Sequence, residues 1–270
     1  MDVYGAETLG VAFTLTLLAG LATAVGGLTV LLTTRTNTRF LAACLSFSAG
    51  VMLYVSFVEI LPESVEFLSV DMGHRPGMWG MLGGFFGGVV VVAVADRLAP
   101  ALLRSRKGRA PTGSSPNPHD RALLHMGILT AAAIALHNFP EGFATFMAAL
   151  ADPAVAAPLA TAIAIHNVPE GIAVAVPVYQ ATGSRWKAVG LAFLSGIAEP
   201  VGAVLGFAVL APWLTDTVFG VVFAAVAGVM VFISLDKLLP SAQKYGGQNL
   251  SLCGVIAGMA VMGISLTLLA

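Results

Sequence analysis

Apolar runs of membrane-spanning length follow one another along most of this chain, and they decide its fold class before any other feature. A helix needs about 20 apolar residues to cross a bilayer. Runs of that kind fall at 9–32, 40–62, 78–98, 122–148, 156–181, 186–211, 215–239 and 249–269. Only 10% of the residues are charged, against about 25% in soluble domains. In hydrocarbon the backbone must satisfy its own hydrogen bonds, which uncharged runs this long do as helices. The expectation is an all-α integral membrane protein of eight transmembrane helices, forming one domain over 1–270. The first run follows an acidic start, Asp2 and Glu7, without a basic segment, so it reads as a span and not as a cleavable signal. A net charge of −1 gives no sign of a nucleic-acid partner. Cys44 and Cys253 lie in apolar runs and are expected to be buried free thiols, neither a disulfide nor a thiolate metal site.

Orientation follows from the basic residues between the runs. Arg35 and Arg39 follow the first run. Arg97, Arg104, Arg106, Lys107, Arg109 and Arg121 follow the third. Arg185 and Lys187 follow the fifth, and Lys237 and Lys244 the seventh. Of 13 basic residues only Arg75 falls on the other side. The basic side is therefore cytoplasmic, and both termini face outside. Residues 99–121 form the expected cytoplasmic loop between spans three and four. Its stretch 104–120 is basic and rich in Pro, Gly and Ser, the composition of a flexible linker. Its basic half suits anionic lipid.

The chain also repeats itself. The segment 50–62 (GVMLYVSFVEILP) matches 228–240 (GVMVFISLDKLLP), with Gly, Val, Met, Ser, the second Leu and Pro identical. The two segments run in opposite directions through the bilayer, so the repeat is inverted, as in many secondary transporters. Leu18-Ala19-Gly20 to Gly26 similarly resembles Leu194-Ser195-Gly196 to Gly202. Spans one to three and six to eight read as two inverted halves around spans four and five. The third pair, 78–98 against 249–269, rests on position alone.

Spans four and five carry the chemistry. His137-Asn138-Phe139-Pro140-Glu141-Gly142 recurs as His166-Asn167-Val168-Pro169-Glu170-Gly171. A carboxylate, an imidazole and an amide are each costly at membrane depth. Helical residues advance by about 100° each. With His137 at zero, Asn138 falls near about 100° and Glu141 near about 40°. The three share one face with the carboxylate between the other two, and His166, Asn167 and Glu170 do the same. Two such faces turned together make a cage of carboxylates, imidazoles and amides, a donor set suited to divalent first-row metals. Each Glu can serve the His side, the Asn side or both. The prolines remove a backbone donor, so the carbonyls of Leu136 and Ile165 lose their helical partner. Such carbonyls are tolerated where they line a polar cavity. Glu199, mid-span before Pro200, has Thr23 as its repeat counterpart. A buried carboxylate with no Lys or Arg at its depth either takes a cation or stays protonated and hydrogen-bonded.

The paired motifs, with the segments 50–62, 195–202 and 228–240, resemble the ZIP (Zrt/Irt-like) family of divalent-metal transporters, specifically its bacterial ZupT type. The resemblance covers most of the chain. It implies one metal site of His137, Glu141, His166 and Glu170. It implies an adjacent one of Asn138, Glu141, Asn167, Glu170 and Glu199, with Glu199 as a bridging-site carboxylate. Met52 would supply a nearby sulfur by the same resemblance, or simply pack. The loop between spans three and four is often His-rich in the family, whereas here it has His119 alone.

The expected function is import of divalent metal ions into the cytoplasm, with direction implied by the family. Zinc leads because imidazole suits it, and iron, manganese, cobalt and cadmium fit the same mixed donor set. The metal is then a transported substrate, the chain is no enzyme, and no catalytic cofactor is expected. The family further implies a homodimer in a bacterial inner membrane and a rocking or elevator-like motion of spans one, four, five and six. Glu59, Glu63, Glu66, Asp71 and His74 read either as an acidic outer mouth or as a solvated loop. Asp96, Asp236 and Lys237 read as interfacial anchors in preference to exit ligands. The glycines at 80–88 read as close-packing positions. The alternative is an intramembrane zinc-dependent hydrolase, which the lack of a His-Glu-x-x-His motif disfavours.

Overall fold

The computed structural model describes residues 5–34, 37–105, 118–151, 153–210 and 215–269, and among these there is no strand. Helix α1 (Ala6–Gly27) tightens into a 3-10 turn over Leu28–Leu32. Helix α2 (Thr38–Val55) continues through a π-helical turn (Ser56–Ile60) into α3 (Leu61–Met72). Then come α4 (His74–Ser105), α5 (Pro118–Ala151) and α6 (Pro153–Thr182). Helices α7 (Arg185–Gly196) and α8 (Ala198–Leu205) are followed by a π turn (Gly206–Leu210). Helix α9 (Asp216–Ile233) passes through a third π turn (Ser234–Leu238) into α10 (Leu239–Leu269). Polar side chains start several of these helices. Asn37 accepts from Phe40 N–H, Ser184 from Lys187 N–H and Thr215 from Val218 N–H, each relieving one unpaired first-turn donor.

Among the described residues, six segments are long and apolar enough to cross a membrane: Ala6–Leu32, Thr38–Met72, His74–Arg97, Asp120–Leu150, Arg185–Val209 and Asp216–Leu268. The last has 53 residues. No loop separates its two halves, and the break lies inside α10 at Gly247, with φ 78°. Only glycine takes that backbone region at little cost. Several expected boundaries shift. Prolines 62 and 240 do not end their helices, because each follows a π turn and is the second residue of the next helix, in the first turn where a missing N–H costs little. The expected loop 99–121 is shorter than read, with α4 reaching Ser105 and α5 starting at Pro118. Residues 106–117, which hold most of the linker, lie outside the described residues, as do Arg35 and the side chain of His119. Cys253 is exposed and Cys44 half-buried, so the expectation of two buried thiols fails for Cys253; both are free.

The helices sort by packing into two groups. Helices α1, α5, α6, α7 and α8 pack on one another, while α2 packs on α10 and α9 packs on α3 and α4. Helix α2 meets α6 between the groups, where Ser48 Oγ donates to the Pro169 carbonyl over 2.8 Å. Glycines set the closest approaches. A side chain on Gly50 would strike the Val255 carbonyl, and one on Gly228 the Phe85 carbonyl. Gly80 abuts Leu68, Gly84 abuts Ala224 and Gly88 faces Ala225, as close-packing positions should, whereas Gly83 and Gly87 face open space.

The basic end is tied by ionic contacts. Arg185 donates to the carbonyls of Val30 and Thr33 at 3.3 Å, at the C-terminal end of the α1 segment. There a cation meets the negative end of the helix dipole. Asp96 of α4 receives Lys237 at 2.7 Å and His125 of α5 at 3.3 Å, and Lys237 also meets Asp236 at 2.9 Å. At the opposite end Thr217 donates to Asp71 over 2.6 Å, joining α9 to α3.

Candidate metal centre

Helices α5 and α6 run through Pro140 and Pro169 unbroken and lie side by side. Their motif faces meet. His166 Nε2 lies 2.9 Å from Glu141 Oε1, and His137 Nε2 lies 3.3 Å from Glu141 Oε2 and 4.0 Å from Glu170 Oε1. The two imidazole rings are 6.0 Å apart. One ligand atom each of His137, His166 and Glu170 falls within 4.8 Å of the others. All six motif side chains are buried. The helical spacing that groups His, Asn and Glu on one face therefore brings both sets together as expected.

The asparagines turn their nitrogens toward backbone carbonyls. Asn138 Nδ2 donates to the Ser195 carbonyl at 3.4 Å, and Asn167 Nδ2 to the Ala19 carbonyl at 2.9 Å and to Glu199 Oε1. A carbonyl only accepts, so each amide must turn its NH₂ toward it. That leaves Oδ1 of both asparagines buried without a hydrogen bond. Ser195 and Ala19 are matched positions of the repeat, so two backbone carbonyls orient two amides in the same way. Sequence reasoning missed these carbonyls, because a backbone oxygen leaves no mark in residue type. It also missed Ser48, whose hydroxyl holds the carbonyl beside Glu170.

Glu199 sits in the first turn of α8 and is fully buried. The sixth span runs as one segment, Arg185–Val209, and passes through a single turn residue at Ile197 just before Glu199, with φ −63° and ψ −15°. Pro200 has no N–H for the Gly196 carbonyl, so one helical hydrogen bond is missing there, while those from Ile197 to Phe193 and from Val201 to Ile197 carry the helix across. Close backbone packing holds this helix to α5. A side chain on Gly142 would collide with the Glu199 backbone, and one on Gly202 with the Phe139 carbonyl. The same contacts recur on α6, where Gly171 meets Thr23 and Gly26 meets the Val168 carbonyl.

Apart from the His–Glu contacts given above, several buried polar atoms here lack a hydrogen bond: His137 Nε2, both nitrogens of His166, Glu141 Oε2, both oxygens of Glu170, Glu199 Oε2 and the two Asn Oδ1 atoms. Orphaned buried groups are rare in native proteins and call for a cause. Each is a metal donor type, and together they fit an ion. Met52 is buried in the apolar core one turn beyond Ser48. Glu59 and Glu63 line a cleft that reaches His137, Glu141 and His166. Glu66, Asp71 and His74 are exposed, so the acidic stretch divides into a cleft part and a solvated part.

Comparison with known proteins shows which family the chain resembles. The family model described as ZIP Zinc transporter matches residues 7–123 and 106–266. The protein named Zinc transporter ZupT from Lysinibacillus sphaericus (strain C3-41) is 53% identical over 261 residues, covering 96% of this chain and 97% of its own. The proteins of the same name from Corynebacterium glutamicum and Streptococcus mutans are 54% and 48% identical. They cover 95% and 97% of this chain and 98% of their own lengths. With half-identity sustained from end to end and the motif helices placed as described, the chain belongs to the ZIP zinc transporter family.

Proposed function

We propose that this protein imports divalent metal ions, zinc foremost, into the cytoplasm through a binuclear site built by α5, α6 and α8. Family membership makes it a transporter and not an enzyme, and makes the metal its cargo. The observation that carries the binuclear reading is the set of buried, unsatisfied N and O atoms. His137, Glu141, His166 and Glu170 hold one ion. Asn138, Asn167 and Glu199 hold its neighbour, with the two motif carboxylates shared. Iron, manganese, cobalt and cadmium suit the same donors. Against a hydrolase, the cleft that leads from Glu59 and Glu63 to His137, Glu141 and His166 has a volume of ≈ 30 Å³. That is room for about two water-sized bodies and not for an organic substrate.

In this reading there are eight spans: α6 is one, and Asp216–Leu268 counts as two about Gly247. The matched glycine contacts of α1 on α6 and α8 on α5 support the inverted halves, as do the matched π turns at Ser56–Ile60 and Ser234–Leu238. The group containing α1 and α5 to α8 is the moving unit against the rest, in a homodimer of the bacterial inner membrane.

Purified protein in liposomes is expected to take up zinc, with iron, manganese, cobalt and cadmium competing, and the assay run across a pH gradient reads proton coupling. Absence of uptake of any of these metals overturns the proposal. For topology, Asp71→Cys and Gly113→Cys are introduced separately in a background lacking Cys44 and Cys253. An impermeant reagent outside is expected to label position 71 and spare 113, and the reverse pattern inverts the orientation.

A further inference from the structure

We propose that Glu59 and Glu63 form a separate capture site for a divalent cation, above the cage and loaded before it. The inference rests on the transport reading. The two carboxylates are four residues apart, at the end of the π turn and in the first turn of α3. With Val55 and Ile60 they line one wall of the cleft, and His137, Glu141 and His166 line its inner part.

Three observations point to a cation between them. First, Glu59 Oε2 is buried without a hydrogen-bond partner. Second, His166, only 2% exposed, borders the same cleft with its Nδ1 unpartnered. Third, the repeat shows what the equivalent position looks like when satisfied. Glu59 matches Lys237, also in a π turn, and Lys237 is neutralised by Asp96 and Asp236. Among the described residues no Lys or Arg lines the Glu59 cleft.

The chemistry differs from that of the cage. Two carboxylates give only oxygen donors, a harder and less discriminating set than imidazole. The cavity of ≈ 30 Å³ admits an ion that keeps about one water. A weak oxygen site followed by a mixed nitrogen and oxygen site lets an ion shed water in steps, and weak successive sites favour passage. Glu66, outside the cleft and exposed, takes no part.

Initial zinc uptake by liposomes is measured against free zinc for wild type, Glu59→Gln/Glu63→Gln and Glu66→Gln. The double variant is expected to raise KM about tenfold with kcat within about twofold of wild type, because capture is lost and the cage is not. Its kcat/KM should also depend less on added salt, since less charge steers the ion. Glu59→Asp/Glu63→Asp should recover most of the loss, and Glu66→Gln should match wild type. An unchanged KM, or a fall in kcat at constant KM, overturns the capture site. If the double variant is lost from the membrane, Glu63→Gln alone is judged by the same criteria. Wild type that moves no metal defeats the transport reading itself. Wild-type uptake matched by the double variant defeats only the capture site.

Discussion

Glu141→Ala and, separately, Glu170→Ala are expected to abolish zinc uptake, with a loss of more than about 100-fold. Even outer-shell partners of a bound metal cost about 10–100-fold when removed, and these two carboxylates are placed as ligands themselves. Glu141 is within 2.9 Å of one imidazole and 3.3 Å of the other. Its removal takes away the carboxylate nearest to both buried histidines and leaves Glu170, 4.0 Å from His137, as the remaining counter-charge. Glu170 has both oxygens buried without a hydrogen bond, so no structural bond is lost with it. The protein should therefore remain in the membrane, which a quantitative immunoblot reads beside uptake. Near wild-type uptake by both variants would remove the shared carboxylates from the mechanism. Glu141→Gln sharpens the test. It keeps volume and one oxygen donor, so its loss reports the missing charge alone.

That centre was legible in the chain because helical periodicity needs no tertiary information. A residue spacing of one and four on a helix puts His137, Asn138 and Glu141 on one face whatever they pack against. The recurrence at His166 supplies the opposing face. What packs where is another matter. The direction in which each asparagine turns depends on the carbonyls of Ala19 and Ser195, and any residue type supplies a carbonyl. The repeat match located both positions without showing what their backbones do.

Boundaries were less legible, for a related reason. Hydropathy registers where the chain stops being apolar, not where it stops being helical. Residues 240–246 are polar enough to look like a loop, yet they continue α10 up to Gly247. Gly246-Gly247 was a readable stop signal that the polarity of the stretch obscured. Conversely 186–211 looked continuous because its hydropathy is continuous. Pro200 was the signal for the single turn residue at Ile197, through the hydrogen bond its ring cannot donate. The three π turns left no compositional trace, although two of them fall at matched places in the repeat.

Glu199→Gln and His137→Ala are expected to separate the two proposed ions. The Asn side has two neutral amide oxygens, left without a partner because each NH₂ donates to a backbone carbonyl. Neutral oxygens add no ligand charge, and affinity for a divalent ion rises with the count of charged ligands. Glu199 is the remaining carboxylate there, with Oε1 taken by Asn167 and Oε2 left unpartnered. Glutamine at 199 retains shape and an acceptor while removing that charge. The variant should lose about one bound metal per chain and keep part of its uptake, with altered metal preference. His137→Ala should weaken the other ion instead, because it removes one of two imidazoles and leaves the Asn side whole. Elemental analysis of purified protein counts the bound metal, and uptake is measured on the same preparations. A full metal count in Glu199→Gln would show that Glu199 is no ligand and would leave the Asn side without the charge an ion needs. Equal losses in both variants would instead make the cage a single site, because then neither side could fill without the other.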